Sequence, residues 1–320
     1  GNFPNSVGKA LVTGAGSQWT ATQLVVSWDE NAVGTFEVAD GGKLEIANPG
    51  GNATVTLGSD STAANGTLTI TGANSSFVIT NGLALNIGSP GRGVFSVLDG
   101  ASADTSAIVN INNKSEAHVT GTGSLWSAQG GITSQGLLTV TDGGTLASNG
   151  RVTVGALGTA TITDGGTLTA TQVDILGIAT IGSGGTVLSS GSVSVGSAAS
   201  GVLTVSDRGA LRLTDPIQGL RIGNGIGTGG TLIIGAAAGQ PAAAPGTVEA
   251  SYVVFEGAAN PGTRTLVFNH TSNDYVFAPY ITGGSGKGNV IVQAGTTTLA
   301  GGVAPFDGTI DISSGATLKI

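Results

Sequence analysis

Cysteine is absent from this chain of 320 residues, and charged and aromatic residues are scarce. The lack of Cys excludes a disulfide framework, a thiol nucleophile and any metal site that needs Cys ligands. Charged residues make up 9% of the chain, against about 25% in ordinary globular domains. Aromatic residues make up 4%, whereas Gly occurs 57 times.

The charge balance is acidic, with 11 Lys and Arg against 19 Asp and Glu and a formal charge of −8. Because neutralisation of phosphates supplies most of the affinity for nucleic acid, this chain is not expected to bind it. Apolar residues make up 39% of the chain, which argues against disorder. No run of about 18 apolar residues occurs, so no helix is expected to span a membrane.

One short pattern returns along most of the chain, which is typical of a repeat architecture. It reads GLLTVTDGGTLAS, GTATITDGGTLTA, GIATIGSGGTVLS and GVLTVSDRGALRL, beginning at Gly136, Gly158, Gly177 and Gly201. Looser copies begin at Gly34, Gly66 and Gly93. A second motif, V-x-V-G or L-x-I-G, ends at Gly58, Gly88, Gly155, Gly196 and Gly223. A unit therefore reads as three strands and their turns over about 20–24 residues.

These repeats predict an all-β fold, a right-handed parallel β-helix with three strands in each coil. A single unit cannot bury its apolar face, but stacked units bury a continuous core and pair their backbones. Val, Ile, Leu and Ala are expected to point inward, and Thr, Ser, Asn and Asp outward. A β-sandwich would show antiparallel hairpins, and a β-propeller blade needs about 40–45 residues, so both fit less well.

Five Asp residues recur at one position of the repeat, just after a strand: Asp40, Asp99, Asp142, Asp164 and Asp207. Asp favours tight turns because its side chain bonds to the nearby backbone. A ladder of Asp that binds Ca²⁺ is the alternative. The G-G-x-G-x-D form of such ladders is missing, so the turn interpretation is preferred.

An aromatic residue follows a Gly turn at a fixed offset three times, at Trp19, Trp126 and, in a weaker copy, Phe77. Such a residue most often caps or fills a coil, and we expect that role here. The alternative is an exposed platform on which a ligand stacks.

No catalytic constellation is evident, because the chain has only two His and lacks a G-x-S-x-G motif. His118 is expected at an outward strand position, and His270 in a turn-like N-H-T-S-N-D segment. The sequence therefore predicts no enzyme and no catalytic, cofactor-binding or metal-binding residue.

The last part of the chain resembles the passenger-associated transport repeat of classical (type V) autotransporter passenger domains. The matching segments are Leu266 to Asn269, Tyr275 to Phe277, Ile281 to Gly286, Gly295 to Gly301 and Gly308 to Leu318. The family often has N-T-Y-x-G where this chain has Ala304 to Gly308. The likeness is close over 265–320 and general over 34–235.

The resemblance implies a bacterial outer-membrane or surface protein, or one released from that surface. It implies a β-helical stem over 1–250, with irregular coils and an inserted loop near 236–246. Residues 251–320 would be the autochaperone-like end, and the family's translocator barrel, the expected membrane link, is not seen in the chain.

The leading hypothesis is an adhesin that binds host matrix or cell-surface molecules, or copies of itself, through the side of a β-helical rod. The alternatives are a polysaccharide-acting enzyme on the same fold and an inert stalk for a missing N-terminal domain. The sequence assigns no ligand-binding residue. A search would start at the loop 236–246 and at Trp28-Asp29-Glu30.

Overall fold

A computed structural model describes residues 3–225, 228–256, 262–283 and 287–320 as strands joined by turns, and contains no helix in these ranges. The strands are, in chain order, β1 (Val7–Thr13), β2 (Gln18–Ala21), β3 (Gln23–Val26), β4 (Val33–Ala39), β5 (Lys43–Ala47), β6 (Ala53–Ser59), β7 (Asn65–Thr71), β8 (Ser76–Thr80), β9 (Gly82–Ser89), β10 (Arg92–Leu98), β11 (Ser102–Thr105), β12 (Ile108–Ile111), β13 (Glu116–Thr120), β14 (Leu125–Ala128), β15 (Ile132–Ser134), β16 (Leu137–Thr141), β17 (Thr145–Ser148), β18 (Arg151–Val154), β19 (Thr159–Ile162), β20 (Thr167–Ala170), β21 (Gln172–Ile175), β22 (Ile178–Ile181), β23 (Thr186–Ser189), β24 (Val193–Val195), β25 (Gly201–Val205), β26 (Ala210–Leu213), β27 (Leu220–Ile222), β28 (Gly230–Gly235), β29 (Thr247–Glu249), β30 (Tyr252–Phe255), β31 (Arg264–Asn269), β32 (Tyr275–Phe277), β33 (Tyr280–Gly283), β34 (Gly288–Ala294), β35 (Thr296–Leu299), β36 (Gly308–Ile312) and β37 (Thr317–Lys319).

The chain forms two compact units. Unit 1 comprises Gly1–Val152, Leu157–Thr159 and Gly166–Thr169, and unit 2 comprises Thr153–Ala156, Ala160–Gly165 and Ala170–Ile320. The sequence-based division into 1–250 and 251–320 is a separate matter and stays a prediction. Within the segment that resembles the passenger-associated repeat, residues 284–286 lie outside the described part of the chain.

In unit 1 every strand pairs in parallel with the third strand after it. The first sheet has the order β1-β4-β7-β10-β13-β16, the second β2-β5-β8-β11-β14-β17 and the third β3-β6-β9-β12-β15. Unit 2 repeats this rule with β22-β25-β28-β31-β34-β36, β23-β26-β29 and β21-β24-β27-β30-β33, and adds a small sheet β32-β35-β37. Each unit is thus wound as a parallel β-helix of three sheets, which confirms the predicted fold class.

The length of a coil follows from the pairing of equivalent residues. Val94 lies beside Glu116, a step of 22 residues, and Glu116 lies beside Leu137, a step of 21. Other coils are longer: Val33 pairs with Asn65. Pairing constrains only the strands, so extra residues are accommodated in the loops between them. The predicted length of 20–24 residues therefore describes the regular coils.

Inward side chains stack in columns from coil to coil. In the second sheet Leu44, Phe77, Ala103, Trp126 and Leu146 follow one another in register, and all are buried. Burial of apolar area contributes about 25 cal/mol per Å² to stability, so a continuous column offsets the loss of chain entropy in every coil.

The corner between the third and first sheets explains the V-x-V-G motif. Gly58 ends the motif with φ +68, a conformation that favours glycine. On the first-sheet side, a Cβ on Gly66 would lie 2.1 Å from the carbonyl oxygen of Val26 and 2.4 Å from the amide nitrogen of Gly58. The backbones therefore pass so closely at this corner that no side chain fits.

The five recurrent Asp residues also adopt positive φ, between +47° and +53°. Asp tolerates this left-handed conformation better than most residues. The turn interpretation is therefore confirmed for Asp40, Asp99, Asp142, Asp164 and Asp207.

Candidate functional site

The segment Trp28-Asp29-Glu30 forms a tight turn in unit 1. The Trp28 side chain is 44% exposed. The carboxylate of Asp29 accepts a hydrogen bond from the amide of Glu30 at 2.7 Å, and its carbonyl accepts one from the amide of Ala32 at 3.0 Å. Asp29 thus stabilises its own turn, and the side chains of Trp28 and Glu30 are exposed beside it.

The loop 236–246 in unit 2 connects β28 to β29 and is firmly held. The side-chain amide of Asn269 donates to the carbonyls of Ala237 and Gln240, both at 2.9 Å. The phenol of Tyr275 donates to the carbonyl of Gly246 at 3.0 Å. These hydrogen bonds attach both ends of the loop to the rest of unit 2.

The recurrent aromatic residues occupy the inward column, as expected of fillers. Trp126 and Phe77 are fully buried, and Phe95 lies between their rings at 4.8 Å and 5.8 Å. Trp19 has the equivalent inward position in the first coil but is 46% exposed. Its ring meets Phe36 edge-on at 5.4 Å, beneath an open cavity of about 250 Å³. The ligand-platform alternative therefore applies to Trp19 alone among the three.

The two His residues belong to different units. His118 lies on the outer face of β13, as expected, and its Nε2 is 3.1 Å from the carboxylate of Glu116. His270 lies at the start of a segment with bends at 271, 273 and 274, as expected, but its side chain is fully buried in unit 2. Later parts of the chain bury it, which the local sequence could not indicate.

Among the residues that the structure describes, no group of three or more His, Asp or Glu is arranged to hold a metal ion. The same ranges contain no helix able to cross a membrane.

A notch lies at one corner of unit 1, where the third sheet turns into the first. Four residues, 112–115, connect β12 to β13, whereas β15 passes to β16 through only Gln135 and Gly136. The short corner leaves a recess of about 290 Å³, which Leu157 and Thr159 of the same unit line on the other side.

The walls of this notch combine apolar and polar groups. Leu157 is 67% exposed on one side, with half-buried Leu137 beside it. Exposed Lys114 lies on the other side. At the floor, the side-chain oxygen of Gln135 accepts a hydrogen bond from the amide of Leu157 at 3.1 Å. A Cβ on Gly136 would lie 2.2 Å from the carbonyl oxygen of Ser115, so glycine is required for the short corner.

A cluster of charged and ionisable groups continues from the notch across the outer face of the first sheet. Arg92 Nη2 is 2.5 Å from one carboxylate oxygen of Glu116, and His118 Nε2 is 3.1 Å from the other. The hydrogen bond from Arg92 is the main reason that the pKa of Glu116 lies below its ordinary value; burial opposes it and His118 adds to it. The charge of Glu116 is neutralised by Arg92, so the charge of Lys114 is unbalanced among the residues that line the notch. The notch is therefore locally positive, although the protein as a whole is acidic.

This arrangement can hold a small group. A recess of about 290 Å³ suits one side chain of a partner. Lys114 can attract a carboxylate, and the two Leu side chains can cover aliphatic carbon. Sequence reasoning missed Lys114, Gln135 and Leu157, although the unequal corner lengths were a countable signal.

No protein-family model matches the sequence, and no curated protein matches it. Among solved structures, one similar chain is described as the crystal structure of a TibC-catalyzed hyper-glycosylated TibA55-350 fragment. It is 14% identical, with a TM-score of 0.49, and the match covers 99% of this chain and 98% of that chain. The assignment of this chain to the parallel β-helix fold rests on its own strand pairing.

Proposed function

We propose that this chain is part of a surface-displayed bacterial autotransporter passenger that acts as an adhesin through the side of its β-helix. The notch at Lys114, Gln135 and Leu157 is the observation that carries the adhesive role. Display at the cell surface is supported by the repeat character of the chain and by the resemblance of residues 265–320 to the passenger-associated repeat. No catalytic role is part of this proposal.

The partner proposed for the notch is an acidic segment of a protein on a host cell or in its matrix. A carboxylate would pair with Lys114, and an adjacent aliphatic side chain would lie against Leu157. An exposed ion pair contributes about 0–1 kcal/mol and an aliphatic contact about 1–2 kcal/mol. One notch alone would bind at millimolar concentration or weaker. Adhesion then depends on many copies displayed together, which raises the apparent affinity without new contacts.

Beads coated with residues 1–320 would test this against a panel of matrix proteins, glycans and host cells. The expected result is saturable adhesion of coated beads and undetectable binding of the same protein free in solution. Lys114→Glu and Leu157→Asp are each expected to lower adhesion about tenfold or more. The matched controls are Lys319→Glu and Leu11→Asp, which make the same changes at exposed positions that do not line the notch.

Three results would count against the proposal. An equal loss of adhesion in the control variants would show that adhesion depends on overall charge and not on the notch. Adhesion to glycans alone would show that the ligand is a sugar and not an acidic protein segment. No adhesion at all, with an intact β-rich protein, would favour a stalk that carries another domain.

A further inference from the structure

We propose that His270 is an acid-sensitive latch in unit 2, whose protonation releases the loop 236–246. This inference is independent of the adhesive role, since it concerns a different unit and a buried side chain. It rests on the way in which three consecutive residues, Asn269 to Thr271, hold that loop.

The backbone around His270 forms one side of the latch. The carbonyl of Asn269 accepts a hydrogen bond from the amide of Ala236 at 2.9 Å, and the amide of Thr271 donates to the carbonyl of Ala243 at 3.0 Å. Together with the Asn269 side-chain bonds to Ala237 and Gln240, these contacts tie the loop at several points. Any displacement of 269–271 would therefore loosen the loop.

The imidazole of His270 forms the other side. It is fully buried, and its Nε2 lies 2.8 Å from the hydroxyl oxygen of Thr297, which is also fully buried. The ring packs 4.9 Å from the ring of Tyr275, the residue that ties Gly246. On the remaining side the backbone of Gly295 lies close to the ring. A Cβ added to Gly295 would be only 2.4 Å from Nδ1, so there is no room for a side chain at this position.

The setting suits a neutral ring and not a charged one. A protonated imidazole donates from both nitrogens, and Nδ1 makes no well-formed hydrogen bond among the residues the structure describes. The backbone of Ser272 favours the charged ring, but burial of the ring outweighs it. The loop 236–246 and the strands β34 and β35 contain no charged residue. In the turn after His270 the ionisable groups are Tyr275, which is uncharged, and Asp274, which is exposed and accepts a hydrogen bond from the hydroxyl of Ser272 at 2.9 Å.

The direction of the pH effect follows from this burial. Burial lowers the pKa of His270, and the backbone of Ser272 opposes the shift only in part. The released state, with the ring in water, takes up a proton near the ordinary value of about 6.5. The latch is therefore fully closed above that pH. It opens as the pH falls. Between the pKa of His270 in the released state and its lower pKa in the closed state, each pH unit of acidification raises the ratio of released to closed molecules about tenfold.

Hydrogen exchange of the full chain, followed by mass spectrometry, would test the latch at pH 7.5 and pH 5.0. After correction for intrinsic exchange rates, protection of residues 236–246 should fall at pH 5.0, by at most about tenfold for each pH unit below 6.5. Protection of β16 in unit 1 should not change. His270→Gln should abolish the pH response of the loop, whereas His118→Gln should keep it.

A second measurement needs no change at the latch. The His118→Gln variant contains a single His, so its imidazole proton resonance reports on His270 alone. The titration of this resonance should give a pKa below the ordinary value for His. If the loop opens first, the resonance should shift over the same pH range in which the loop loses protection. A resonance that titrates normally while loop protection stays constant would overturn the proposal, as would an unchanged pH response in His270→Gln.

Discussion

Trp126 and Thr105 join two successive coils of unit 1 across the core. The indole Nε1 of Trp126 donates a hydrogen bond to the hydroxyl oxygen of Thr105 at 3.1 Å, and both side chains are fully buried. A large ring can fill the inward column only if its N–H finds an acceptor, because an unpaired buried donor is costly. The threonine supplies that acceptor from the preceding coil.

This pair predicts two different losses of stability. Trp126→Ala should lower the free energy of unfolding by about 3–5 kcal/mol, because it leaves a cavity between Phe95 and Leu146. Thr105→Val should cost about 1–3 kcal/mol, because it keeps the shape but leaves the indole N–H unpaired.

Urea denaturation followed by Trp fluorescence and circular dichroism would measure both changes, with hydrogen exchange of β14 to locate them. Leu125→Ala is the matched control, since Leu125 precedes Trp126 but points outward and is 41% exposed. Its cost should stay below about 1 kcal/mol. An equal cost for Leu125→Ala and Trp126→Ala would contradict the inward column as the source of stability.

The second prediction concerns the corner glycine Gly66. Gly66→Ala should destabilise unit 1 by about 1–3 kcal/mol, since the new Cβ would lie 2.1 Å from the carbonyl of Val26 and would push two coils apart. Thermal and urea unfolding would show the effect. Gly50→Ala is the control, because Gly50 is exposed and its Cβ would approach only the side chain of Asn48, at 3.3 Å. If Gly66→Ala left the free energy of unfolding unchanged, the corner would be able to widen around a side chain without loss of stability.

The fold could be predicted from the sequence because each coil carries the same local signals. Apolar alternation, Asp at a left-handed turn and Gly at a crowded corner all recur and agree with one architecture. The notch could not be predicted, because it depends on which corners become neighbours, and only the register of the strands places Gln135 between Lys114 and Leu157. The burial of His270 could not be predicted for a related reason. Its N-H-T-S-N-D segment is rich in turn formers and does bend, but Thr297 and Tyr275, which come from later in the chain, pack against its ring.

The third prediction concerns the pH dependence of Glu116 beside the notch. Since the hydrogen bond from Arg92 is the main cause that lowers the pKa of Glu116, Arg92→Gln should raise that pKa, and the remaining burial acts in the same direction. A carboxyl with a lowered folded pKa adds stability above its ordinary value of 4.5, and this contribution is lost as the pH falls through the folded pKa. Both side chains are partly exposed, so the contribution should be under about 1 kcal/mol and should shrink in high salt.

Carbon-13 NMR titration of the Glu116 carboxyl in the parent chain and in Arg92→Gln would measure this shift. Lys43→Gln is the control, since it removes a cation paired with a different carboxylate, Glu45, at 2.8 Å in the same unit. That change should leave Glu116 untouched. If Arg92→Gln also left the Glu116 titration unchanged, Arg92 would not neutralise Glu116, and the positive character assigned to the notch would lose its basis. A raised pKa would leave Lys114 as the cation available there to a partner's carboxylate.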